Sequence, residues 1–298
     1  MFQRLRVANW SDLLLLLRSG RFGRWMFFRG ERERDWELKS SLERAVPEAD
    51  SRARAEREII RHFRERAHNY LPASLIPASL LEWVALIQHH GGPTRLIDFT
   101  SSRWVALFFA LEHTPLLGDY SILWALDPSW LRSRVCEAIA KQLPSTTLDD
   151  ANGVFDRISY GEKEFNNLVL CNGVRTLYTI RPMRLSERVT IQQGQFLCVG
   201  DVTVSAIDNW PTHQDSSRNL FKIEIPASVR VEALRYLSEH NISRATLFPG
   251  IDGFAQSLAH EVLTEPRDVR FNRLTYEMVE TAGVFEKAKQ RAEEAGND

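Results

Sequence analysis

The stretch QHHGGPTRLIDFTSS, from Gln88 to Ser102, gathers two histidines, an arginine, an aspartate and a run of hydroxyls at one corner of the chain. His89 and His90 close an apolar helix, where the helix dipole favours their charged form and the last carbonyls accept hydrogen bonds. Asp98 stands near the end of an apolar strand. If buried it needs a partner, and Arg95 or the groups of Thr100, Ser101 and Ser102 are near enough in sequence to supply one. Asp98 is therefore either half of a structural pair or a direct contact of a ligand. The helix that follows, Arg103 to His113, opens on free amides and on those hydroxyls, chemistry that suits an anion or a sugar.

Three further polar spots stand out. Arg29-Gly30 follows a short apolar run, Trp25 to Phe28, that reads as a strand, so Arg29 is expected where a strand ends. In TIQQGQF a glycine inside a strand signals close approach of a backbone or a ligand, beside Gln192, Gln193 and Gln195; a bulge with solvated glutamines is the plainer reading. FPGIDGFA is first of all turn chemistry, with Asp252 as a helix N-cap. Adjacent histidines leave a helix in different directions, so His89 and His90 are a poor metal pair, and no metal is expected. GxSxG, Walker A, GxGxxG and HExxH motifs are absent, which sets aside serine hydrolases, P-loop enzymes, Rossmann dehydrogenases and zinc proteases.

The elements that must position these residues alternate in type. Leu13 to Leu17 is a buried helix, with Ser11 or Asp12 as N-cap and Gly20 as its stop. Asp50 to Leu71 carries Ile59, Ile60, Phe63 and Ala67 on one stripe of an amphipathic helix ended by Pro72. A largely buried helix runs from about Pro77 to His89-His90, where Gly91, Gly92 and Pro93 end it. TRLID is a short buried strand and RWVALFFALEH a capped, buried helix. Trp36, Leu38 and Leu42 are isolated anchors in a charged background. YSILWALD, LYTIRP, RVTIQQGQFLCV and LFKIEIP are later strands, the last half-buried by its alternation. A loop is placed near Leu143 to Asn152, a helix from about Ser228 to Glu239 with Asn241 as C-cap, and a last helix from Phe254. The overall expectation is an α+β protein, helix-rich in its N-terminal half and strand-rich in its C-terminal half.

With 38 basic and 39 acidic residues the formal net charge is -1, which argues against a generally basic, nucleic-acid-coating surface. An apolar share of 44% supports a substantial core. Cys136, Cys171 and Cys198 match no metal or redox spacing and suit a reducing cytoplasm. The longest greasy run is far short of the roughly 20 residues a spanning helix needs, and no leader is apparent, so no membrane partner is expected.

Taken together, FFRG at Phe27 to Gly30, WELKSSLER at Trp36 to Arg44, QHHGGPTRLIDFTSS, VALFFALE, QQGQF and NISRATLFPGIDGFAQSL resemble the FRG domain family over roughly Trp25 to Leu258. Phe99 stands where tryptophan is expected. The resemblance implies a single domain over 1–270 with its core at about 25–258, then a charged helix or tail over 271–298. The family pattern is in turn similar to a divergent ADP-ribosyltransferase fold, a split β-sheet flanked by helices. It implies NAD as substrate, a macromolecular acceptor, and a toxin or defence role with a cognate antitoxin or regulator. On that analogy Arg29 holds a phosphate or ribose, Arg29, Asp98, Gln193 and Gln195 form the catalytic set, and Gly30, His90, Arg95, Thr100, Ser101 and Ser102 line the cofactor site. Gln193 or Gln195 stands where a catalytic glutamate is expected, and an amide cannot supply negative charge. A carboxylate would then come from Asp98, Asp252 or elsewhere. The alternatives are a non-catalytic module that recognises a nucleotide, a nucleic-acid end or a protein through the same pocket, and a buried polar network that only fixes the fold.

Overall fold

The computed structural model describes residues 2–23, 25–32, 38–113, 120–143, 146–161, 163–181, 187–211 and 216–264. Trp36 and the expected tail over 271–298 lie outside them. In order the chain forms β1 (Gln3–Arg6), α1 (Trp10–Arg18), β2 (Phe27–Glu31), α2 (Ser41–Ala45), α3 (Ala49–Ala67), α4 (Leu80–His89), β3 (Leu96–Thr100), α5 (Arg103–Leu111), β4 (Tyr120–Leu126), α6 (Pro128–Gln142) and α7 (Leu148–Ser159). There follow β5 (Leu177–Ile180), α8 (Glu187–Ile191), β6 (Gly194–Val199), α9 (Ser216–Asn219), β7 (Leu220–Pro226), α10 (Arg230–Glu239), α11 (Arg244–Leu247) and α12 (Ile251–Thr264). The chain divides into two compact units, Met1–Ala233 and Leu234–Asp298. The join falls inside α10, where no change of composition marks it. Among the described residues no helix is long and apolar enough to cross a membrane.

The first unit is an α+β layer structure around one seven-stranded mixed sheet, ordered β1-β7-β4-β2-β3-β6-β5. Only β1 and β7 run parallel, and the other neighbours are antiparallel. The strands are not gathered in the C-terminal half as expected: β1 to β4 all precede Asp127. The hydrogen-bonded sheet is continuous, but the β2–β3 join consists of a single pair, Phe28 opposite Thr100. Beyond that pair the strands part, while Arg29, Gly30 and Glu31 stay zipped to Trp124, Leu123 and Ile122 of β4.

Side chains alternate across a strand, so Phe28 and Gly30 face one side of β2 and Arg29 and Glu31 the other. On the Phe28 side α5 packs so closely that a Cβ on Gly30 would collide with the Ala106 carbonyl oxygen and the Ala110 amide. The opposite side carries a large core of Phe27, Leu42, Leu81, Val84, Ile87, Trp124, Phe155 and Leu177. Leu38 and Leu42 are buried anchors, as the sequence suggests.

Several boundaries differ from the sequence expectation, each for a local reason. The strand expected at Trp25 to Phe28 is Phe27–Glu31, so Arg29 is internal to it. The polar pair is tolerated there because Glu31 accepts from Arg29 Nε at 3.0 Å and from Trp124 Nε1 at 2.9 Å. TRLID shifts to Leu96–Thr100 because Thr94 is spent on side-chain contacts. RVTIQQGQFLCV is not one strand: α8 takes its first part, Gln193 turns with φ 49°, and β6 begins at Gly194. In β7, Glu224 is buried rather than solvated, since the unforeseen β1 lies alongside and Arg6 pairs with it at 2.8 Å. The loop expected over Leu143 to Asn152 gives way to α7 at Leu148, opened by a reciprocal Thr147–Asp150 capping box. Asn9, not Ser11 or Asp12, caps α1, and that helix stops at Ser19. Asp252 lies in the first turn of α12, one residue inside it, and the helix starts at Ile251 rather than Phe254.

The contact of α5 with β2 yields a direct test. Gly30→Ala forces backbone against backbone, and we expect a loss of about 3 kcal/mol or more in urea unfolding; an unchanged midpoint would show that α5 can move away.

Candidate functional site

Where β2 and β3 part, the sheet opens on a cavity of ≈ 290 Å³. Its strand walls are Phe28, Arg29 and Gly30 from β2, Asp98, Phe99 and Thr100 from β3, and Gly194 and Phe196 from β6. Gln88 and His89 enter from the last turn of α4, Ala106 and Phe109 from α5, and Arg188 and Val189 from α8, with Gln192 just beyond. The lining combines the rings of Phe28, Phe99, Phe109 and Phe196 with a set of polar side chains. That is the make-up of a small-molecule site, at the small end of the usual ~300–1,000 Å³ range.

Arg29 spans the opening. Its Nη1 donates to the Asp98 carbonyl oxygen at 2.8 Å, satisfying a strand acceptor that β2 no longer reaches, while Nε holds Glu31. Glu31 is 3% exposed and Arg29 18%, so the carboxylate sits behind the guanidinium and out of the cavity. Nη2 takes part in neither bond. The Asp98 carboxylate is exposed at the mouth and accepts from Gln88 Nε2 at 2.8 Å. Arg44, on α2, is exposed and within electrostatic reach of Arg29, Glu31 and Asp98. Burial, helped by His90 and Arg188, holds the His89 imidazole below its ordinary value of 6.5.

The residues expected to form one site separate into two groups. Arg29, Gly30, Asp98 and Thr100 line the cavity, whereas His90, Arg95, Ser101, Ser102, Gln193 and Gln195 do not. Arg95 is fully buried and belongs to the scaffold: it pairs with Glu56 of α3 through Nε at 2.8 Å and through Nη2, and donates to the carbonyls of Val169, Val199 and Gly200. Burial works against its charge, but the Glu56 carboxylate more than offsets this, and the guanidinium stays charged. His90 is the exposed C-cap of α4, with Gly91 following at φ 79°. Ser102 caps α5 by accepting from the Val105 amide. Thr100 reaches the cavity, but its hydroxyl is committed to the Gln192 carbonyl at 2.7 Å, and Ser101 bonds the Gln193 carbonyl through its amide at 3.0 Å. Gln195 pairs with Phe99 inside the sheet. Asp252 belongs to the second unit.

Gln88, Phe109 and Arg188 line the cavity without standing out in the sequence as candidates, while His89 and Gln192 stand out there only as a helix-closing histidine and as one of the amides beside Gly194. For three of these five a signal existed. Leu81 and Val84 mark the inward stripe of α4, and positions seven and four residues on from them fall on Gln88, not on His90. Arg188 and Gln192 are four apart on a single helical turn, which brings them to one face once the segment is read as helix. Among the described residues no group of three or more His, Cys, Asp or Glu side chains is placed to hold a metal ion.

Compared with known domain families, residues 24–116 match the FRG domain. That range covers β2 to α5, hence Arg29, Gln88 and Asp98, while Arg188 and Gln192 come from beyond it. No curated protein and no solved structure matches the chain.

Two expectations follow. Arg95→Met strands the Glu56 charge in the interior, which should cost about 3–5 kcal/mol in equilibrium unfolding; a cost under about 1 kcal/mol would remove Arg95 from its structural role. His89, held below 6.5, resists protonation in the folded state more than in the unfolded chain. Its contribution to stability is therefore kept at neutral pH and lost as pH falls below about 6.5. His89→Gln should flatten that part of the acid limb, which chemical denaturation at stepped pH will read.

Proposed function

We propose that the protein, whose residues 24–116 match the FRG domain, binds NAD or a related nucleotide in this cavity and transfers or hydrolyses ADP-ribose. The observation that carries this reading is the convergence of Arg29, Asp98, Arg188 and Gln192 on one cavity that aromatic rings also line. The cavity's size suits one nucleotide half of NAD, with the diphosphate toward the arginines.

In this scheme Arg29 Nη2 and the Arg188 guanidinium hold phosphate oxygens, which a planar cation binds in forked geometry. The aromatic wall of Phe28, Phe109 and Phe196 receives a ring. Cleavage breaks the bond between the ribose anomeric carbon and the nicotinamide nitrogen, and the electron pair leaves with neutral nicotinamide. The ribosyl centre passes through an oxocarbenium-like state, which the Asp98 carboxylate stabilises, and a nucleophile of the acceptor or a water closes the reaction by losing a proton. Gln192 replaces Gln193 and Gln195 as the amide that meets a ribose hydroxyl. A toxin or defence effector with a macromolecular acceptor and a cognate antitoxin or regulator fits such an activity.

A second reading, a binding module without bond cleavage, is favoured by one observation: among the described residues that line the cavity Asp98 is the one carboxylate, and the amides beside it, Gln88 and Gln192, carry no charge.

Purified protein with labelled NAD separates the two. The transferase reading expects nicotinamide release, a fall of about 100-fold or more in turnover for Asp98→Asn with NAD still bound, and at least tenfold weaker binding for Arg188→Ala and Arg29→Lys. NAD binding without release in any acceptor-containing lysate supports the binding module. Neither a thermal shift with NAD nor release would end both.

A further inference from the structure

Gln88 has no acid-base chemistry of its own, yet both ends of its amide are engaged. Oε1 receives the Thr94 hydroxyl at 2.5 Å and lies 3.3 Å from the Ser41 hydroxyl, which it shares with the Thr94 carbonyl oxygen at 3.2 Å. A hydroxyl can donate or accept, so the amide's orientation is set at its other end, where a carboxylate that only accepts has to meet the NH2 group. It points at Asp98, donating from Nε2 to Oδ2 at 2.8 Å. The donors are fixed in turn: the Ser41 hydroxyl accepts from the Thr94 amide at 2.9 Å, the Thr94 hydroxyl from the Leu96 amide at 3.1 Å, and the Thr94 carbonyl from the Leu42 amide at 2.9 Å. The chain thus runs from the start of α2 through the lead-in to β3 and the end of α4 to the mouth of the cavity.

Asp98 is exposed, so it does not need this partner to escape a desolvation cost. An exposed carboxylate ordinarily keeps its rotamer freedom, and holding it costs entropy. What the arrangement provides is direction. We infer that Gln88 is the positioning residue of the site: the Ser41–Thr94–Gln88 chain grips one oxygen of Asp98 and thereby presents Oδ1 to the ligand in the cavity. This rests on the proposed role of Asp98 beside the ribose.

Charge alone would not supply the same orientation. The groups around Asp98 are Arg29 and Glu31 of β2, Arg44 of α2, His89 of α4 and Arg188 of α8. Arg29 meets the Asp98 backbone rather than its carboxylate.

Two variants test the inference in the full chain. Gln88→Leu keeps the volume and deletes the donor, and we expect kcat/KM for nicotinamide release to fall about tenfold or more, carried by kcat rather than KM. Gln88→Glu is nearly isosteric. Two carboxylates at hydrogen-bond distance share a proton, so below the upper of their two coupled steps the introduced group still donates to Asp98, and above it they repel. Activity should therefore be rescued at low pH and lost as pH rises, a profile that wild type and Gln88→Leu lack and that persists when His89 is replaced by Gln in the Gln88→Glu background. Superimposable pH profiles, with Gln88→Leu as active as wild type, would overturn the inference. If wild type releases no nicotinamide, the proposed activity fails by itself. Carbon-13 titration of the carboxyls then decides the positioning: two coupled steps in Gln88→Glu support it, and two independent ordinary steps overturn it.

Discussion

A guanidinium with no exposed surface sits at the centre of the first unit, and the geometry of the cavity depends on it. Arg95 can remain there only because Glu56 neutralises it, while Nη1 donates to the carbonyls of Val169, Val199 and Gly200 and Nη2 also reaches the Asn172 side-chain oxygen. An ion pair of this kind gains little net stability over an apolar substitute, but it is unforgiving of misplacement, since a displaced partner leaves a bare charge in the interior. It therefore fixes α3, the lead-in to β3 and the end of β6 in one arrangement. The β3–β6 pairing, continuous from Leu96 to Thr100, carries that arrangement to the edge of the opening.

The opening itself is a controlled defect. A sheet normally satisfies each strand's amides and carbonyls through its neighbour, and parting β2 from β3 leaves such groups without a partner. Arg29 repairs this from the side, giving one hydrogen to the Asp98 carbonyl and another to Glu31. On the far face Gly30 lets α5 come close enough to hold β2 while it parts from β3. The Phe-Arg-Gly sequence thus has a distinct task at each position: packing against α5, bridging the gap, and admitting the helix. A split sheet was expected from resemblance; the structure has one sheet joined at this point by a single residue pair.

How much of this was legible depends on whether a feature was local. The helices α3, α4, α5 and α10 and the strands β4 and β7 announce themselves by periodicity and caps, because the information lies within a few turns of chain. β1 is four residues long and owes its existence to β7, more than 200 residues away, so no local pattern marks it. The same distance hides the burial of Glu224, which alternation assigns to solvent and Arg6 retains inside. The division of the polar motif into scaffold and cavity was equally hidden. Arg95 and Asp98 look alike on paper, two charges in an apolar strand, and only the neighbours brought by α3 and α4 distinguish them. For α8, Val189 and Ile191 alternate as a strand would, and nothing nearby reveals the turn at Gln193.

That division also explains why the motif is so dense. A site at a strand gap needs a rigid frame within a few residues of its working groups, because flexibility at the gap would let β2 and β3 close or slide. The frame is built from other members of the same stretch: Thr94 orients Gln88, Arg95 anchors the strand, Thr100 ties β3 to the Gln192 carbonyl, and Ser102 starts α5. Besides Phe99 and Thr100, the groups of this stretch that line the cavity are few, Gln88, His89 and Asp98, and Gln88 ties Asp98 to the framing residue Thr94. Polarity at this corner is thus mostly structural in number and functional in placement. The cavity's character follows from which side chains the frame leaves uncommitted, above all Arg29 Nη2 and Asp98 Oδ1.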